Sequence, residues 1–446
     1  MLARFCSGAV ARLAVLASLT MIATAAQLVN GAAPRALLKG WSTAQHDAKV
    51  AQEAVNARAA GKQTGAGTQA PVGTQAGAGA ADAQSSAVGE PGVAKEERLK
   101  DVAVLQGLVA NLSAADFATR EAATRELMKA GREAFPLLRE AESTGDKETQ
   151  SRARKILDEI EWPVTAAAIK KIEKLGGKVI GPDRKRPRGV MFDPGGDRRS
   201  NVNDDDVSCI ADLHYLIGLN LCRTDITDKT CARIGKLPLV VNLYLDETNV
   251  TDAGVREFRY LSHLKYLSLS ATEVTGEGFA ELADIATLRE VNVARSRVTD
   301  SGMAQIAKCH SINQLEVNNN RITSAGLKSL KSLKLITVSL DKTHITDEGI
   351  AELRQHPLTS LTMGSTAITD KGLAYASEIE TLNSIDVSGT QVTKEGLKQV
   401  RTMPHLKNLW ACGLDLKQTD AQAILDGAVS LKAVFFRPDQ RPAERE

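Results

Sequence analysis

Aromatic side chains make up only 4% of this 446-residue chain, and its charge nearly cancels, with 56 Lys and Arg against 54 Asp and Glu. So few rings leave little to stack single-stranded nucleic acid on. Balanced charge supplies no global field toward nucleic acid or an anionic membrane. No pair of the six cysteines is spaced CxxC, which excludes a disulfide framework and the usual zinc spacings. Cys209, Cys222, Cys231, Cys309 and Cys412 read as small apolar core residues. Catalytic signatures are missing as well. His46, His214, His263, His310, His344, His356 and His405 are scattered, with no HExxH, and the chain has no GxSxG, P-loop or GxGxxG. Ser200 to Asp206 is acidic but lacks the alternating ligands and glycine of a calcium loop. Neither an enzyme nor a cofactor or metal site is expected.

What is present falls into blocks. Arg4 and Arg12 precede an uncharged run from Leu13 to Ala26, the pattern of a secretory signal cleaved near Ala26. The uncharged stretch extends to Ala33, so an uncleaved anchor is the alternative and the only expected membrane contact. Residues 27–96 are low in large apolar side chains, most clearly over 61–93, and are expected to form a disordered linker. Residues 97–162 follow helical spacing, with a capping start at Ser113 to Asp116 and an interruption at Pro136. The run DFATREAATRELMKAGREAFPLLREA followed by ETQSRARKILDEIE resembles a HEAT-type helical hairpin. That implies either a second interaction surface or a brace for the C-terminal block. Residues 165–192 predict a helix and two short strands that cover the near end of that block. The turn between those strands carries Arg184, Lys185, Arg186 and Arg188, read as solvated charge rather than an anion site.

The largest block is periodic. Val250-Thr251-Asp252-Ala253-Gly254-Val255 returns from Val298, Ile345 and Ile368, with weaker copies from Ile226, Val274, Ile322 and Val392. The step is 24 residues, twice 23, and such a period marks a solenoid whose units bury their apolar faces only by stacking. Seven and five residues upstream stand apolar pairs such as Leu243/Leu245 and Leu267/Leu269, the inward face of a strand. A short polar side chain precedes each phrase by two: Thr224, Thr248, Thr272, Ser296, Asn320, Thr343, Thr366 and Thr390. That column is expected to bond the backbone of the neighbouring coil. The phrase's Thr is assigned to a helix N-cap, its Asp to the helix dipole and its Gly to close approach between coils.

The pattern L-x-L-x-x-T-x-[IV]-T-D-x-G-[aliphatic] resembles the leucine-rich repeat, in particular the 24-residue cysteine-containing and GALA-like types of bacterial secreted proteins. More distantly it is similar to the repeats of F-box substrate adaptors. The resemblance covers 163–438, leaves 439–446 as a tail, and implies an α/β horseshoe of about ten strand–turn–helix coils. Degenerate units at Val202-Asn203-Asp204 and Leu416 extend it at either end. Solenoids of this kind bind extended partners on their strand face, so the expected role is non-enzymatic protein binding in the envelope, the periplasm or outside the cell. The candidate surface is Asn220, Asn242, Tyr244, Asp246, Tyr266, Ser268, Glu290, Asn292, Gln314, Glu316, Asn318, Ser339, Asp341, Thr362, Asp386, Ser388 and Trp410. Tyr244, Tyr266 and Trp410 are its anchors by residue type. Cell-wall glycan is the alternative ligand and an F-box-type adaptor the remote one; nucleic acid is not expected.

Overall fold

The computed structural model describes residues 93–192, 199–428, 430–436 and 443–444. The signal and nearly all of the expected linker lie outside them. The chain divides into two units, Leu13–Val102 and Met1–Arg12 with Ala103–Glu446; the second holds all the described elements except the first turns of α1. Among the described residues no helix is long and apolar enough to cross a membrane.

Four helices come first: α1 (Val93–Ala110), α2 (Phe117–Ala130), α3 (Phe135–Thr144) and α4 (Lys147–Lys174). Asp116 caps α2 by accepting from Thr119 N, and Asp146 caps α4 by accepting from Glu148 N and Thr149 N. Helix α1 begins at Val93, inside the stretch expected to be linker. Pro136 opens α3 instead of interrupting it, because a residue with no N–H and a fixed φ costs nothing in the first turn. Pro163 lies within α4, so a single helix runs across the 162/163 division. Leu105, Leu112, Leu127, Leu138, Ile156 and Leu157 make a small core of their own, and the C-terminal half of α4 (Ala168, Ile172) joins the larger core of the repeats.

The helical block is tied to the first coil of the repeats. Arg132 pairs with Asp212 at 3.2 Å, and Lys171 Nζ donates to Asp205 O at 2.7 Å. Arg186, from the basic turn, is almost covered. It pairs with Asp158 at 2.6 Å and with Glu142, and lies 4.5 Å over the Tyr215 ring. Arg184 pairs with Glu173 at 2.8 Å. The basic cluster therefore ties the end of the repeats to α3 and α4.

The strands form one thirteen-stranded sheet in sequence order. β1 (Lys178–Ile180) and β2 (Gly189–Met191) are antiparallel. One parallel strand per coil comes next: β3 (Gly218–Asn220), β4 (Asn242–Tyr244), β5 (Tyr266–Ser268), β6 (Glu290–Asn292), β7 (Gln314–Glu316), β8 (Thr337–Ser339), β9 (Ser360–Thr362), β10 (Ser384–Asp386), β11 (Asn408–Trp410) and β12 (Ala433–Phe435). β13 (Ala443–Glu444) pairs antiparallel with β12, so two residues of the expected tail belong to the sheet. A short antiparallel strand at each end shortens the edge open to another chain. Each central strand residue, Leu219 to Val434, is buried, as are all eight leading aliphatics from Ile226 to Val392.

The turn after each strand is repeated as faithfully as the strand. Arg223, Glu247, Ala271, Arg295, Asn319, Lys342 and Ser365 all take φ between 55° and 59°, and Gly389 and Gly413 continue the column. Each N–H is spent on the next coil: Arg223 N donates to Asp246 O, Glu247 N to Ser270 O and Ala271 N to Ala294 O, each at 2.8 Å. A left-handed non-glycine residue costs about 1–2 kcal/mol, and the ladder bond offsets it at every coil.

Candidate functional site

The repeated phrase does more than its expected capping. Thr251 Oγ1 accepts from Ala253 N at 3.2 Å, a helix cap, but also donates to Asp228 Oδ2 of the preceding coil at 2.7 Å. Asp228 Oδ1 takes Thr251 N at 2.8 Å. Asp300 holds Thr323, Asp347 holds Thr369 and Asp370 holds Thr393 in the same way. The Asp is thus a staple between coils, which corrects its assignment to the helix dipole. Distance decides between the two: charge-assisted bonds at 2.6–2.9 Å outweigh a screened dipole contact.

The departures follow the same logic. Ser324, in place of Asp, accepts from Thr346 N at 3.1 Å. Thr230, in place of Gly, donates its hydroxyl to Asp204 Oδ1 at 2.6 Å. Asp204 also holds Thr227, so the degenerate first unit works as a full one. Burial raises the Asp204 pKa, but the bonds from Thr227 and Thr230 outweigh it and hold the carboxyl below its usual value. The Gly leaves room for the staple: a Cβ on Gly326 would lie 2.6 Å from Asp300 Oδ1, and one on Gly372 would collide with Asp347.

The upstream polar column also differs from expectation. Thr224, Thr248, Thr272, Thr343, Thr366 and Thr390 donate to a carbonyl three residues back in their own coil, at 2.5–2.7 Å. Ser296 and Asn320 do reach the neighbour. Asn320 accepts from Val298 N and donates to Val293 O. The threonine hydroxyls thus mainly close the local turn, although Thr272 Oγ1 also lies 3.3 Å from Ser296 Oγ of the next coil.

With the phrase absorbed by scaffold, the open face of the sheet remains. Register places Asn220, Tyr244, Ser268, Asn292, Glu316, Ser339, Thr362, Asp386, Trp410 and Phe435 in one row. The parallel row runs through Asn242, Tyr266, Glu290, Gln314, Thr337, Ser360, Ser384 and Asn408. The third row holds Asp246, Asn318, Asp341 and Ser388, two residues beyond the first. All seventeen expected surface residues fall on these rows. None is freely exposed: Tyr244, Ser268, Ser339, Thr362, Asp386 and Ser388 are buried, and the others half-buried. Stacking at one strand per coil lets neighbours cover each other's flanks.

The expected anchors sit toward opposite ends of the face. Tyr244 and Tyr266 rings lie 4.7 Å apart, and Trp410 stacks on Phe435 at 4.9 Å with the planes 7° apart. Phe435, Thr337, Ser360, Ser384 and Asn408 were missed from sequence, although the strand register that found Tyr266 and Glu290 includes them.

Between the two aromatic pairs the face is acidic. Asp246, Glu290, Glu316, Asp341 and Asp386 project from it, and none makes an ion pair among the described residues. Burial raises every one of their pKa values. Glu316 reaches about 7 through burial and then the neighbouring Asp246, Glu290 and Asp341. Asp341 reaches about 7 through burial and then Asp386, against donors from Thr362 and Gly364. Asp246, Glu290 and Asp386 are raised by burial, which in Asp246 outweighs bonds from Ser268 and Ser270 and in Asp386 those from Ser388. Asn318 Oδ1 is buried without a hydrogen-bond partner. The face thus offers acceptors in excess of donors.

This geometry defines the class. Residues 308–331, one period of the ladder, match the family model described as Leucine Rich repeat, and the described coils form a leucine-rich-repeat solenoid. Similar solved structures include two internalins of Listeria monocytogenes. One is 19% identical over 61% of this chain and 88% of that one (TM-score 0.40); internalin C2 is 18% identical over 52% and 85% (TM-score 0.33). Comparison with curated proteins returns no match. The scaffold is of a kind typical of protein-binding domains.

Proposed function

We propose that the chain is a non-enzymatic scaffold that binds another protein on the open face of its sheet, in the envelope or outside the cell. The observation that carries the reading is a register-aligned polar face whose carboxylates make no ion pair among the described residues and whose Asn318 Oδ1 is buried without a donor. Buried acceptors without partners cost free energy, and a bound protein supplies the missing donors. The other side of each coil is taken up by staples, caps and helical turns that hold the solenoid together. Export rests on the apolar run that follows Arg4 and Arg12 and ends near Ala26.

The test is capture from envelope extract by the full chain, followed by substitution. Tyr266→Ala and Glu290→Ala are expected to release the captured protein. Lys308→Ala and Lys331→Ala, at exposed positions away from the strands, should leave it bound. Loss of capture on changing Lys308 or Lys331, with Tyr266 and Glu290 indifferent, would overturn the assignment.

A further inference from the structure

One place on the open face is a hollow rather than a surface. Ser360, Thr362, Ser384, Asp386 and Trp410 line it, with the Leu361 and Ile385 strand positions between them. Trp410 is backed on one face by Phe435, which fixes its ring as a wall. Asp386 is only 7% exposed and takes its hydrogen bonds from Ser388. Asp341 lies across Gly364: a Cβ built there would be 3.2 Å from Asp341 Oδ1 and 3.7 Å from Asp386 Oδ1. Only a residue without a side chain leaves the gap between those two carboxylates open.

We propose that this hollow is a specificity site for a basic side chain of the partner, taken in between the Trp410 ring and Asp386, with Asp341 beyond it across Gly364. It rests on the reading of the open face as the binding surface and says what the partner must present there. A flat ring beside carboxylates suits a guanidinium, which stacks on the one and pairs with the other. No Lys or Arg of the described residues ion-pairs with either carboxylate, which leaves both open to a cation from the partner. The serine and threonine hydroxyls can accept the remaining N–H donors. A neutral sugar could stack on the same ring but would leave both carboxylates uncompensated.

The full chain is titrated with acetyl-Gly-Arg-Gly-amide and with the same peptide carrying neutral citrulline, following the indole resonance of Trp410, assigned by its loss in Trp410→Phe. The arginine peptide is expected to shift that resonance saturably and at least about tenfold more tightly than citrulline. Asp386→Asn, which keeps the shape and the Ser388 bond, and Gly364→Ala, which fills the gap, should each weaken it by about tenfold. Urea unfolding verifies that both variants are folded. Equal response to the two peptides, a tighter response to maltotriose, or an unmoved Trp410 resonance would overturn the proposal. The wider reading fails separately, if capture ignores Tyr266→Ala and Glu290→Ala.

Discussion

Two sets of carboxylates run along this solenoid, one in the repeated phrase and one on the open face, and they differ most in how uniformly they are bonded. Those of the repeated phrase, such as Asp228, Asp347 and Asp370, each accept a backbone N–H and a hydroxyl from the next coil. The open face is mixed: Asp246 and Asp341 also accept a backbone N–H and a hydroxyl from the next coil, whereas the half-buried Glu290 and Glu316 take no hydrogen bond among the described residues. Periodicity marks the first set; the second is irregular in sequence and aligned only by register. A repeated acidic residue here is structure, and on the proposed binding face the unrepeated Glu290 and Glu316 are the ones without an ion pair among the described residues.

The largest effect should come from crowding a staple. Gly372→Ala puts a methyl against the Asp347 carboxylate and 2.7 Å from Ile368 Cγ2. It is expected to cost about 2–3 kcal/mol in urea unfolding, from overpacking and a lost charged bond. If Gly372→Ala is neutral, Gly at this position is not there to make room for the staple.

Titration sets Asp204 apart from the open face by sign. Glu316 and Asp341 have folded pKa values of about 7, above their unfolded values, so the native state binds more protons than the unfolded chain between roughly pH 4 and 7. Their contribution is fully present below pH 4 and is lost as pH rises through 7. Asp204 runs the other way: its folded pKa is lowered, and its contribution is lost as pH falls below about 4. Glu316→Gln with Asp341→Asn should flatten the decline in urea midpoint between pH 4.5 and 7, recovering on the order of 2 kcal/mol at pH 7. An unchanged slope would mean that the open face is better solvated than its burial implies.

The smallest expected change is in the turn ladder. Ala271→Gly relieves a left-handed residue (φ 56°) but adds freedom to the unfolded chain. The two nearly cancel, leaving a gain of about 0–1 kcal/mol in thermal unfolding. A clear loss would show that the ladder carries no strain to relieve.

The architecture was legible because a solenoid repeats its instructions. Leu243/Leu245 and their equivalents gave the strands, Thr251 the cap, and Val202-Asn203-Asp204 an end unit that works as expected. The roles of Asp and of the upstream Thr were misplaced, since both depend on which coil a short side chain can reach, and a one-dimensional spacing holds no such distance. The pairing of the basic turn with Glu142 and Asp158, more than 25 residues away in sequence, was likewise out of reach. On the open face the rows could be read, but not their burial or the hollow beside Trp410. Those arise from side chains on three adjacent coils.

The most direct test is a paired urea unfolding at pH 7 of Asp347→Asn and Asp386→Asn, carboxylates of 9% and 7% exposure. Asp347→Asn trades a charged acceptor of two bonds for a neutral one and should cost about 1–3 kcal/mol. Asp386→Asn removes a buried charge with no counter-ion and should cost nothing or stabilise. The reverse order, with Asp386 needed for stability and Asp347 dispensable, would contradict the division between staple and binding face.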